Sequence, residues 1–175
     1  MKTKSILIVD DEESLRQSLE KVLKNAGYIT FVAGSGSEAM DLLAQQPADL
    51  VLSDLKMPNG DGMTLLKSIK KKFPDVEVIL LTGYGTIETA VEAMKEGAYD
   101  FITKPPKKAV ILSTVERACE RQNLAQENKY LRAQLGHSTI AEDMIGASGS
   151  FKKVREMIDR VAPLLSTILI TGESG

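Results

Sequence analysis

Short apolar runs alternate along most of the chain with stretches whose apolar residues recur every three or four positions. SILIVD (5–10) is an aliphatic, partly β-branched run, the pattern of a strand buried on both faces. Asp11 then opens SLRQSLEKVLKNAG, where Leu15, Leu19, Val22 and Leu23 keep helical spacing and Gly27 marks the stop. YITFVA (28–33) predicts a second strand and SEAMDLLAQQ (37–46) a second helix, halted by Pro47. DLVLSD (49–54) predicts the third strand, followed by a loop and a helix from about Met63 to Lys72. VEVILLT (76–82), TIETAVEAMKEG (86–97) and YDFITK (99–104) continue the alternation, and Pro105-Pro106 breaks it before a fifth helix.

Five strand–helix repeats predict an α/β domain: an open parallel sheet with helices on both faces. Right-handed crossovers restrict the topology, and chemistry in such sheets collects at the carboxyl ends of the strands. Asp10 and Asp11 end the first predicted strand, Asp54 the third, Thr82 the fourth and Lys104 the fifth. All five therefore belong on one rim.

After Pro106 the helical pattern persists through KKAVILSTVERACERQNLAQENKYLRAQLG, about eight turns at 3.6 residues per turn. Ile111, Leu112, Val115, Ala118 and Cys119 form a stripe suited to docking on the sheet, with Cys119 as a small apolar filler. Leu124, Asn128, Leu131 and Leu135 then make a short heptad seam, which predicts a homodimer through this helix. HSTIAEDMIGASGS (137–150) is a small, polar connector in which His137 is expected to be solvated. FKKVREMIDRVAPLL regains helical spacing, and STILITGESG predicts a strand running into a glycine-containing turn. The domain division that follows is 1–120, 121–144 and 145–175.

Composition narrows the classes. Of the 175 residues 43% are apolar and 26% charged, with a net charge of -2, so no basic excess points to a nucleic-acid surface. A single cysteine excludes an internal disulfide. The N-terminus has too short an apolar run for a signal peptide, and VAPLLSTILI (161–170) is half a membrane span interrupted by Pro163. A cytoplasmic protein without membrane contact is expected. The Lys70-Lys71-Lys72 run is expected to be an exposed helix end.

The rim residues carry the chemistry. Three converging carboxylates repel one another and call for a cation, and hard oxygen ligands suit Mg2+. Lys104 adds a fixed positive charge, Thr82 a hydroxyl, and Gly60 and Gly62 allow close backbone approach. Such a set suits phosphoryl transfer, in which a carboxylate can itself be the nucleophile. Taken singly, each aspartate could equally cap a helix, Asp11 among them.

Residues 5–120 resemble a receiver domain of two-component response regulators, the CheY-like family with a flavodoxin-like fold. The resemblance rests on VDDE (9–12), SDLKMPNGDG (53–62), LTGYG (81–85) and FITKP (101–105), in order at successive strand ends. It implies that Asp54 accepts a phosphoryl group from a sensor histidine kinase. It further implies Mg2+ held by Asp11, Asp54 and the main-chain carbonyl of Lys56, with Asp10 acting through water. Lys104 would pair with a phosphoryl oxygen, and a cis peptide is expected before Pro105. Thr82 and Phe101 match the family's switch pair; Phe101 stands where many receivers carry Tyr, so no phenolic hydrogen bond can mark the switched state. The responding face is expected at residues 83–112.

Residues 145–175 resemble the start of the AAA+ ATPase domain in sigma-54-dependent activators of the NtrC type. The matching pieces are IGASGSFKKVREMIDRVA and ILITGESG. Gly172, Glu173, Ser174 and Gly175 supply only the opening of a phosphate-binding loop, whose lysine is missing. The resemblance implies a receiver with its linker helix and an incomplete ATPase, not an enzyme in itself. Contacts with sigma-54 polymerase and DNA would belong to parts absent from this sequence. Two alternatives stand beside it: a stand-alone receiver, and a phosphatase of the aspartyl-phosphate type. The latter wants a second acid two residues after the nucleophile, where this chain has Lys56.

Overall fold

The computed structural model describes residues 3–58, 60–83, 86–137 and 148–161; for 133–137, 150, 155 and 159 it describes the backbone alone. The chain divides into two compact units, Met1–Asn128 and Lys129–Gly175. In the first, β1 (Ser5–Val9), β2 (Ile29–Ala33), β3 (Leu50–Asp54), β4 (Glu77–Thr82) and β5 (Asp100–Thr103) form one sheet. Its order is β2-β1-β3-β4-β5, and every pairing is parallel. The helices are α1 (Glu13–Asn25), α2 (Gly36–Gln45), α3 (Gly62–Lys72), α4 (Ile87–Lys95) and α5 (Lys108–His137).

Alternation along the strands sends neighbouring side chains to opposite faces. Leu7, Val9, Val51, Val78 and Leu80 form one core with Leu43 of α2, Leu66 and Ile69 of α3, and Ala93 of α4. Ile6, Ile8, Leu50, Leu52, Ile79 and Leu81 form the other, against α1 and α5. The central strands therefore have no polar face, as their continuous apolar runs predict. Burying each such side chain contributes roughly 1.5–3 kcal/mol. On β2, an edge strand, Ile29 and Val32 remain exposed.

Most element ends fall within a residue or two of the predicted ones, and the differences have local causes. Tyr28 donates its amide to the Leu23 carbonyl and so completes the end of α1, leaving β2 to start at Ile29. Gly27, at φ 91, supplies the left-handed turn that stops α1. Ser35 accepts from the Glu38 amide while the Glu38 carboxylate accepts from the Gly34 amide, a reciprocal cap that starts α2. Asp11 does not cap α1. The helix starts after Glu12 without a side-chain cap, and the Glu12 amide donates to the Asp10 carboxylate instead. Lys70 also departs from expectation: its ammonium donates to the Val76 carbonyl at 2.7 Å and meets Glu77, tying α3 to β4.

The long helical pattern after Pro106 is one continuous 30-residue helix, ending at His137. Ile111, Val115, Ala118 and Cys119 are buried as predicted, whereas Leu112 is only partly covered. In the second unit α6 (Gly149–Val161) starts after Ser148, whose hydroxyl accepts from the Phe151 amide. The GESG turn and the connector at 138–147 lie outside the described residues. Among the described residues, no helix is long and apolar enough to cross a membrane.

Candidate functional site

Strand register assembles the site. Val9 pairs with Ser53, so Asp10 and Asp54 arrive together where β1 and β3 end, at the point where the strand order reverses. Asp54 is level with Leu81, which puts Thr82 one step further along β4, and the Lys104 amide donates to the Thr82 carbonyl at 2.7 Å. The Lys104–Pro105 peptide is cis, as expected. The rim thus unites Asp10, Asp11, Asp54, Thr82 and Lys104.

Asp10 has no exposure and Asp54 little, yet both are compensated. The Lys104 ammonium lies 2.7 Å from an Asp10 oxygen and 2.9 Å from an Asp54 oxygen. Burial pulls the Lys104 pKa down, but hydrogen bonds to both carboxylates and their charges outweigh it and hold the ammonium above its ordinary value. Arg16, on the first turns of α1, donates to the Asp10 carbonyl. Exposed Asp11 completes the cluster: one oxygen each from Asp10, Asp11 and Asp54 lie within 4.8 Å of one another. Three carboxylates against one ammonium leave the pocket negative, and an all-oxygen donor set fits a hard divalent ion such as Mg2+.

The turn after Asp54 is built on backbone proximity. Lys56 and Met57 pair antiparallel with Asp61 and Gly60, which folds the chain back toward the rim. The Gly62 amide then donates to the Leu55 carbonyl at 2.8 Å. A Cβ on Gly62 would stand 2.1 Å from the Asp54 carbonyl oxygen and 2.8 Å from Leu55 Cα. Glycine is therefore obligatory here, for closeness and not for an unusual φ. Asp61 caps α3 by accepting from the Met63 amide.

Thr82 is buried, while Phe101 stands 37% exposed beside α4. Between them, lined by Leu55, Leu80, Thr89 and Ala93, a cavity of about 10 Å3 remains, room for at most one water. The cavity as it stands does not hold the Phe101 ring, so inward rotation would need its lining to give way. A Cβ at Gly83 would meet nothing within 4 Å, so this position does not obstruct the ring. Outward, Phe101 joins Ile87, Val91 and Met94 of α4 in an exposed apolar surface. Arg16 and the Glu12 amide had no signal in the sequence, because their role depends on how α1 leaves β1. Gly172, Glu173, Ser174 and Gly175 lie outside the described residues.

Comparison with known proteins agrees with this geometry. The model of the response regulator receiver domain matches residues 6–116. The nitrogen assimilation regulatory protein NtrX of Azorhizobium caulinodans is 38% identical over 172 residues, 97% of this chain and 37% of its own length. The C4-dicarboxylate transport transcriptional regulatory protein DctD of Rhizobium meliloti is 33% identical, over 98% of this chain and 37% of its own. The chain thus spans a little over a third of the length of these curated relatives. Among solved structures, NtrX from Brucella abortus in complex with ATP superposes with a TM-score of 0.71 at 34% identity, covering 92% of this chain and 35% of that one. A receiver domain protein from Clostridium thermocellum gives 0.67 at 34% identity, covering 70% of this chain and 98% of its own. From its matched motifs, its 2-1-3-4-5 sheet and its acidic rim, the chain belongs to the response regulator receiver family.

Proposed function

We propose that this chain is the phosphorylation-controlled input of a transcriptional activator, with Asp54 as the phosphoryl acceptor. The observation that carries the reading is the shared contact of Lys104 with Asp10 and Asp54 beside exposed Asp11. An Asp54 oxygen attacks the phosphorus of a kinase phosphohistidine; the new O–P bond forms as the N–P bond breaks, and the imidazole leaves with its electron pair. Lys104 exchanges its contact with Asp54 for a phosphoryl oxygen, keeping Asp10 as its second partner. Asp10 already accepts from Lys104 and the Glu12 amide, which suits a role through water. Asp11 and Asp54, with the Lys56 carbonyl, would hold Mg2+. The bound ion would offset the charge that gathers on the phosphoryl oxygens. The Thr82 hydroxyl then turns onto the phosphoryl group, and Phe101 follows into the space that the cavity lining gives up.

Similarity to the two curated regulators runs over nearly the whole chain, 97% and 98%, and so extends past the receiver into residues 145–175. This favours an activator segment over a stand-alone receiver. We infer the domain division 1–120, 121–144 and 145–175, with the linker helix coupling receiver state to dimerisation. Control of an ATPase and of sigma-54 polymerase would be exercised by parts beyond this sequence. Intact mass measurement after incubation with acetyl phosphate and Mg2+ tests the central claim. One phosphoryl addition is expected on the native chain and none on Asp54→Asn; an unchanged addition in the variant overturns it.

A further inference from the structure

Gln122 is one of the few buried polar side chains, 4% exposed, and the last buried one on α5 among the described residues. From 123 to 132 every described side chain is exposed. Gln122 therefore sits where the helix leaves the sheet, at the amino ends of the strands, on the rim opposite Asp54. Both ends of its carboxamide are engaged. The oxygen accepts from the Lys4 ammonium at 2.6 Å, and the nitrogen donates to the Asp75 carbonyl at 3.2 Å. Lys4 is held in turn by Asp49 at 2.9 Å, whose other oxygen accepts from the Ser5 amide and hydroxyl. One side chain of α5 is thus bonded to two separate segments, the lead into β1 and the approach to β4, and through Lys4 it is linked to a third, the approach to β3. On the neighbouring face Arg121 lies over the Tyr99 ring at 5.5 Å and 3.6 Å from Glu77, while Arg117 lies 3.8 Å from Asp100.

We propose that Gln122 is a clamp that sets the rotation and direction in which the linker helix leaves the receiver. Apolar contacts through Ile111, Val115 and Ala118 are non-directional and tolerate small rotations of α5. Hydrogen bonds do not, since a carboxamide reaches both Lys4 and the Asp75 carbonyl only over a narrow range of angles. Leucine in its place would keep the bulk and remove both of these hydrogen bonds. The consequence for regulation rests on reading α5 as the linker to a dimer, but the clamp itself does not. It places the positioning element of the linker far from the phosphoryl site, so that α5 can convey a change of state as a rigid lever.

The experiment measures distances between spin labels on the full chain carrying Lys21→Cys on α1 and Glu127→Cys on α5, diluted with unlabelled protein. Both positions are exposed, and buried Cys119 stays unlabelled. The native Gln122 background is expected to give a narrow distribution, whose width roughly doubles in Gln122→Leu as the root of the helix is freed. Lys4→Met, which removes the partner instead, should broaden it as well. Gln122→Glu, which keeps the acceptor for Lys4 but loses the donor to Asp75, should fall between. Equal widths in all four backgrounds overturn the proposal. If Gln122→Leu does not fold by circular dichroism, the Lys4→Met and Gln122→Glu widths decide alone. Phosphoryl uptake in the same samples is expected to be unchanged, so a failure of the clamp and a failure of the Asp54 reading are seen separately.

Discussion

Lys104 and Gly62 show how much of the site rests on single residues with no chemical step of their own. Lys104 bridges the carboxylates of Asp10 and Asp54 and offsets part of the charge they bring to the rim. Gly62 contributes an absence: a methyl group there would overlap the Asp54 carbonyl and press on the backbone that carries the acceptor. Gly62→Ala is expected to lower stability by about 1–3 kcal/mol, the usual cost of overpacking. It should also slow phosphoryl uptake at Asp54, because the shifted backbone is the acceptor's own. Chemical denaturation and the rate of mass gain with acetyl phosphate check both; an unchanged rate would show that the site tolerates the shift. The sequence offered Gly62 as a permissive turn residue, and only the returning chain reveals the close contact that excludes every other residue.

At the scale of elements, the strand ends opposite the site depend on polar ties. Burial raises the Asp49 pKa, but the Ser5 amide, the Lys4 ammonium and the Ser5 hydroxyl outweigh it, and the net displacement is downward. A carboxylate with a depressed folded pKa contributes stability that is complete above its unfolded value and is lost as pH falls through the folded one. Asp49→Asn is therefore expected to cost about 1 kcal/mol at neutral pH, solvent screening included. The gap in melting temperature to the native chain should start to narrow as pH falls below about 4 and close as it passes through the lower folded value. A gap that persists unchanged in acid would place the contribution in packing and not in charge. The helices follow the same logic on a smaller scale: α1, α2 and α3 each start by a different device, of which only the Ser and Asp caps carry a sequence signature.

At the scale of the molecule, apolar side chains stay exposed on α4 and on α5 among the described residues. Those of α4 are Ile87, Val91 and Met94, beside Phe101, where the predicted switch would be felt. Along α5, Leu124 and Leu131 are 62% and 48% exposed. Both fall on the predicted heptad spacing through Asn128, which a dimer through this helix would cover. Light scattering at high concentration is expected to show a dimer that Leu124→Lys with Leu131→Lys converts to a monomer. A monomeric native chain, with and without phosphorylation, would remove the linker seam as a dimerisation element.

Periodicity alone determined the five strands, the five helices that follow them, the parallel sheet and the placement of Asp10, Asp11, Asp54, Thr82 and Lys104 on one rim. These are local and repetitive properties: side chains alternate along a strand with period two and recur around a helix every 3.6 residues. The tertiary structure decided what depends on encounters between distant segments. It joined Lys104 to Asp10 across 94 positions and Gln122 to Lys4 across 118. It also put Gly62 against the Asp54 backbone and left Phe101 outside a cavity too small for its ring. No pattern along the chain encodes those distances, because they arise from strand register, crossover packing and the angle at which each helix returns to the sheet.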